Sequence, residues 1–179
     1  MLLEDECHLL WGAVCGRVWG KRNATIEVPM LNERERQTYY GALNLLTHEA
    51  HLKEGSAGDG INTVAYIQWC QRLYPGKKLL FLWDGASYHR STEMQTFLAR
   101  ENAGFVQEDW KVTCLLFAPN APEQNPTEEL WLKGKTHLRK NFALNKTFAR
   151  VKHCFTEFLK SLSFDSVKLS WYWPAPQLN

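Results

Sequence analysis

The chain has 179 residues, a formal net charge of +2, 45% hydrophobic and 13% aromatic residues. That length fits one domain with a sizeable core, and that composition excludes an intrinsically disordered chain. The small net charge excludes attachment to nucleic acid by bulk charge alone, and no apolar run approaches the roughly 18 residues of a membrane span.

Cys7, Cys15, Cys70, Cys114 and Cys154 form no C-x-x-C pair, so neither a zinc site nor a disulfide framework is expected. Reduced, mostly buried thiols and the lack of a secretory leader suit a cytoplasmic protein. Several of the eight tryptophans adjoin basic residues, as in "RVWGKR". Core or partner contacts suit them better than a surface stacked on nucleic acid.

In chain order, residues 1–5 read as a short strand closing in the acids Glu4, Asp5 and Glu6, a polar edge cluster. "HLLWGAVCGRVWG" is apolar and Gly-punctuated, a strand or hairpin with bends. "RQTYYGALNLL" and "HEAHLKE" read as two strands joined near Thr47, and "GSAGDG" as a loop. From Asn62, the spacing of Val64, Ile67, Cys70 and Leu73 predicts a helix that Pro75-Gly76 stops. "KKLLFLWD" is a continuous apolar run, the pattern of a strand covered on both faces. Ser91 caps a predicted helix carrying Met94, Phe97, Leu98 and Glu101, closed by Gly104. "KVTCLLF" is a second buried strand, and "APNAPEQNP" is a Pro-rich loop. A helix is predicted from about Pro126 to Phe142, then another carrying Phe148, Val151, Phe155, Phe158, Leu159 and Leu162. The tail "WYWPAPQLN" reads as an arm or strap, which divides the chain into a domain over 1–163 and a tail over 164–179. Strands first and alternation afterwards predict an α/β fold: a mixed sheet flanked by helices, with parallel neighbours at its centre.

Asp84-Gly85 in "FLWDGASYHRS" has the form of a hairpin turn, yet a His, an Arg and a helix cap follow it instead of a strand. Asp5 at the end of the first strand, Asp84 at the end of the central one and Glu128 in a helix's first turn are placed to converge. At about 100° per residue, Leu132 lies roughly 40° from Glu128 and Trp131 roughly 60° on its other side. Glu128 is therefore expected to point inward, with Glu129 nearer solvent. An inward carboxylate needs a partner, and a metal ion is one. Each acid also has a structural reading: a dipole-favoured helix acid at Glu128, turn chemistry at Asp84, a polar edge at Asp5. His48, His51 and His89 read as surface or hydrogen-bonded histidines, since no His/Cys spacing supports zinc.

Three blocks, "LEDECHLLWGAVCGRVWGKRN", "LLFLWDGASYHRS" and "LLFAPNAPEQNPTEELWLKGKTHLRK", resemble the signature blocks of DDE transposases. The likeness is to the Tc/mariner superfamily in its bacterial insertion-sequence branch, and covers roughly residues 1–145. In that family the first acid sits in an Asp-Glu pair followed by an Arg-x-Trp element, which Asp5-Glu6 and "RVWGK" match. The second opens an Asp-Asn-Ala-x-x-His block, matched by Asp84 to His89 except that Gly85 replaces Asn. The third closes Asn-Pro-x-Glu-x-x-Trp, matched by Asn125, Pro126, Glu128 and Trp131.

The resemblance implies a ribonuclease-H-like (retroviral-integrase-like) catalytic domain for metal-dependent DNA cleavage and strand transfer at insertion-element ends, typically into TA targets. It implies Asp5, Asp84 and Glu128 as catalytic residues and ligands of two Mg²⁺ or Mn²⁺ ions, with Asp5 bridging them. An all-oxygen ligand set suits those ions and disfavours zinc. His89, Asn125, Pro126 and Trp131 would support the site. Arg17, Trp19, Lys21, Arg22, Lys133, Lys135 and Arg139 are candidate DNA contacts, for which a solvated basic face is the plain alternative. Implied partners are double-stranded DNA, a second copy of the chain as a homodimer, and helix-turn-helix modules. Family members carry those modules ahead of the first acid, and this chain leaves no room for them. It is expected to be a catalytic domain alone, nucleoid-associated in a bacterial cytoplasm, or a truncated, inactive remnant acting only as a binding module.

Overall fold

A computed structural model describes residues 1–11, 20–23, 35–118 and 124–162. In chain order the elements are β1 (Leu2–Leu10), β2 (Arg36–Asn44), β3 (Ala50–Gly55), α1 (Gly60–Leu73), β4 (Leu79–Trp83), α2 (Thr92–Glu101), β5 (Val112–Leu116), α3 (Thr127–Lys140) and α4 (Phe148–Ser161). The strands form one sheet in the order β3-β2-β1-β4-β5. The first three pair antiparallel, whereas β1, β4 and β5 run parallel, as the two kinds of connection require. The predicted mixed sheet with parallel central neighbours is what forms.

Alternation along β1 sends successive side chains to opposite faces. Leu3, Cys7 and Leu9 enter a core with Tyr39, Leu43, Trp131, Val151, Phe155 and Leu159, beneath α3 and α4. Leu2 enters the other core, with Tyr40, Tyr66, Ile67, Phe81, Trp83, Met94 and Phe97, beneath α1 and α2. Both faces of β1 are covered through its first half, whereas His8 and Leu10 near its end are exposed.

Caps set the helix starts. Ser91 accepts a bond from the Met94 N–H, as expected of an N-cap. Asp59 does the same for Asn62, so α1 begins at Gly60, earlier than its apolar spacing suggested. Leu73 ends that helix 41% exposed, off the buried stripe. Gly134 in α3 lets α4 approach closely: a Cβ there would lie 2.5 Å from the Phe155 ring. The thiols are less uniformly buried than expected, with Cys7 and Cys70 buried and Cys114 and Cys154 half-buried. Among the described residues no helix is long and apolar enough to cross a membrane. Most of "GAVCGRVWG" and the tail over 164–179 lie outside the described residues.

Candidate active site

Asp5 lies in the middle of a nine-residue strand, not at the end of a short one. β1 continues because β2 pairs with it along its whole length, from Leu2 opposite Asn44 to Leu10 opposite Arg36. The opening beside Asp5 arises on the other edge. Only Leu2 and Leu3 are in register with β4, opposite Phe81 and Leu82. Beyond them the loop before α3 takes over as neighbour. Asn125 donates from Nδ2 to the Glu4 carbonyl at 3.1 Å, and Thr127 donates from Oγ1 to the Leu3 carbonyl at 2.6 Å. Asn125 Oδ1 also accepts from the Thr127 N–H, which holds the first turn of α3 against the strand.

Trp131 is the second tie. Its Nε1–H donates to Asp5 Oδ2 at 3.0 Å, and its ring lies over Gly41, the residue opposite Asp5 in the β1–β2 ladder. A Cβ on Gly41 would come within 2.4 Å of that ring, so only glycine leaves it room.

Asp84 follows β4 directly, its side chain 59% exposed. Its Oδ1 accepts from the Ala86 N–H at 2.9 Å, an Asx turn, so it is both turn residue and presented carboxylate. The chain then forms a 3-10 turn over Ser87–Arg90, not a hairpin. Within it, His89 is buried, stacks on Trp83 at 4.2 Å and 9°, and bonds the Asp84 carbonyl through Nδ1 at 3.1 Å.

Glu128 is exposed, contrary to the inward orientation expected of it. The buried face of α3 is set by Thr127, Leu130, Trp131, Gly134 and Leu138. Leu132, which had suggested the inward direction, is 59% exposed. Glu128 lies about 100° from the middle of that face, on its flank.

The three acids still act on one another. Burial first, then the charges of Glu6, Glu128 and Asp84, push the Asp5 carboxyl up to about 7, against the Trp131 bond that lowers it. A cation among them would relieve both causes, and the oxygen-only donors suit a hard ion. The residues present therefore fit the implied metal.

A family model described as DDE superfamily endonuclease matches residues 1–149. The chain belongs to that superfamily. No curated protein matches. Among solved structures, "Mos1 transposase paired-end complex with left transposon end" is similar at TM-score 0.60 and 15% identity, over 96% of this chain and 50% of that one. The simian T-cell lymphotropic virus intasome is similar at 0.59 and 10%, over 99% and 55%. The HTLV-2 integrase catalytic core domain in complex with magnesium is similar at 0.56 and 12%, over 90% and 82%. At such identities the likeness is one of fold, the ribonuclease-H-like sheet expected from the sequence blocks. The chain spans about half the length of the Mos1 and intasome chains it matches.

The basic candidates of this DDE chain fall into three groups. Lys21, Arg22 and Arg139 are exposed, as a DNA contact requires. Lys133 and Lys135 are half-buried, and Lys135 interacts with the Cys7 thiol, which turns it toward the sheet. Arg17 and Trp19 lie outside the described residues. Of the remaining histidines, His51 bonds the Tyr74 hydroxyl and His48 occupies a left-handed turn position at φ 58°.

The polar edge expected at Glu4 and Glu6 does not form. Glu4 is fully buried and the Glu6 side chain is 4% exposed, both on the face opposite Asp5. Side chains alternate along β1, so Glu4 and Glu6 share one face, and they are buried where the turn after Asp84 brings His89 over it.

Proposed function

We propose that this chain is the catalytic domain of a Tc/mariner-type transposase of the insertion-sequence branch, cutting DNA at element ends and joining it to target DNA, typically at TA. The observation that carries it is the raised proton affinity of Asp5, produced by burial together with acids from β1, the end of β4 and the start of α3. Such mutual repulsion is costly unless cations share the site.

Asp5, Asp84 and Glu128 would hold two Mg²⁺ or Mn²⁺ ions. Bound there, the ions would supply charge stabilisation to the entering and leaving oxygens of an in-line displacement at phosphorus. The chain's own residues orient the ligands. Trp131 fixes the Asp5 carboxylate through one N–H. The Ala86 N–H fixes Asp84 Oδ1, and His89 holds the Asp84 backbone. Asn125 and Thr127 staple the start of α3 to β1, which sets where Glu128 stands. Exposed Lys21, Arg22 and Arg139 would meet DNA phosphates. A helix-turn-helix module, on this or another polypeptide, would recognise the element ends, and a homodimer would pair them.

The test is cleavage of DNA carrying the element's end sequence with millimolar Mg²⁺ or Mn²⁺. Cutting is expected from the native chain and lost in Asp84→Asn. Undiminished cutting by that variant would remove Asp84 from the reaction.

A further inference from the structure

Behind Asp5, on the α1 and α2 side of the sheet, Glu4 and Glu6 meet His89. The His89 and Glu6 side chains are 1% and 4% exposed, and that of Glu4 is 0% exposed. Glu4 Oε1 and Oε2, Glu6 Oε1 and His89 Nε2 have no hydrogen-bond partner among the described residues. Four buried polar atoms left together in this way are unusual, since such groups are almost always paired.

Protonation does not supply the missing partners. Nδ1 of His89 lies 3.1 Å from the Asp84 carbonyl, which can only accept, so Nδ1 carries the proton. In the neutral ring Nε2 is then a bare lone pair, and it faces carboxylate oxygens at 3.5 Å (Glu6) and 3.8 Å (Glu4). Protonating Glu4 or Glu6 adds an O–H whose facing acceptor, Nε2, stands 3.8 or 3.5 Å away, longer than a hydrogen bond as the side chains are placed. Protonating Nε2 adds one donor, too far from either oxygen for a hydrogen bond of about 2.7–3.2 Å. Bonds of about 2.0–2.2 Å to a tetrahedral ion put its ligands about 3.3–3.6 Å apart. The 3.5 Å pair already has that edge, and the 3.8 Å pair reaches it by a shift of a few tenths of an ångström. One donor atom from each residue lies within 4.8 Å of the others.

We propose that Glu4, Glu6 and His89 form a structural site for a divalent transition metal of the Zn²⁺ type, tying the turn after Asp84 to the centre of β1. The imidazole selects such an ion over Mg²⁺. Both Glu4 oxygens are unpartnered, so that carboxylate can also bind through two atoms. The Nδ1 bond to a backbone carbonyl is the outer-shell contact that fixes a metal-bound histidine. The site is separate from Asp5, Asp84 and Glu128, and stands whether or not the chain cuts DNA. Its effect would be to hold the backbone of Asp84 at a constant distance from that of Asp5.

The experiment is zinc X-ray absorption on the metal-free chain given one equivalent of Zn²⁺, without DNA. A shell with one imidazole nitrogen and carboxylate oxygens is expected. Asp84→Asn should retain it, whereas Glu4→Gln and His89→Gln should each lose the imidazole signal. Each should also weaken Zn²⁺ by more than the roughly 10–100-fold typical of losing a residue that only supports a ligand. An all-oxygen shell places the ion among the catalytic acids and overturns the proposal. So does an imidazole signal that survives both substitutions, or a native chain that fails to retain Zn²⁺ on dialysis. Should both variants fail to fold, His8→Gln decides: the imidazole signal is expected to survive it, and its loss would place the ion at that exposed histidine and overturn the proposal.

Discussion

Replacing Asp5 with asparagine isolates the cost of placing that carboxylate where it is. In the fold Asp5 titrates at about 7, against an ordinary value of 3.8. Between these values the folded state binds more protons than the unfolded one. Stability therefore falls as pH rises through that window, and the loss is complete above about 7. At about 1.4 kcal/mol per pH unit the whole penalty is on the order of 4 kcal/mol, of which about 2–3 kcal/mol falls between pH 5 and pH 8. The asparagine amide would keep an oxygen for the Trp131 N–H and carry no charge. In urea unfolding with EDTA, the advantage of Asp5→Asn over the native chain should grow by about 2–3 kcal/mol from pH 5 to pH 8. Taking the difference between the two proteins cancels the titration of groups they share. Millimolar Mg²⁺ should shrink the gap at pH 8, because a bound cation stabilises the ionised carboxylate. Parallel pH profiles for the two proteins would refute a desolvated, acid-crowded Asp5, and with it the electrostatic basis for the metal site.

Two glycines separate packing from site geometry. Gly41→Ala and Gly134→Ala each force a methyl into an aromatic ring, of Trp131 and Phe155 respectively, and each should cost about 1–3 kcal/mol in chemical denaturation. Only Gly41→Ala displaces the donor to Asp5, so its loss of DNA cleavage should exceed that of Gly134→Ala by about tenfold or more. Gly85→Asn should be well tolerated, since a Cβ there meets nothing within 4 Å and the backbone is not left-handed. A stability gain of about 0.4–1 kcal/mol by thermal melting is expected, with cleavage undiminished.

The elements and the order of the acids were legible along the chain because they rest on local rules. The apolar runs of β4 and β5 and the Ser91 cap each act over a few residues, and those two strands and the capped helix appear where expected. The departures are those that need a neighbour to be known. Nothing within "LLEDECHLL" says that β2 pairs along all of it, which places Asp5 mid-strand. The apolar neighbours of Glu128 suggested an inward side chain, but the direction of α3 is set by Trp131 over Gly41 and by Gly134 against Phe155. His89 has the sequence surroundings of an ordinary surface histidine. It is buried because the turn after Asp84 folds back on Trp83 and onto the hidden face of β1. Residue type and spacing determined which acids this protein brings to its centre. Only the packing of two helical layers on a sheet decided which of them face each other, because burial depends on contacts between segments far apart in the chain.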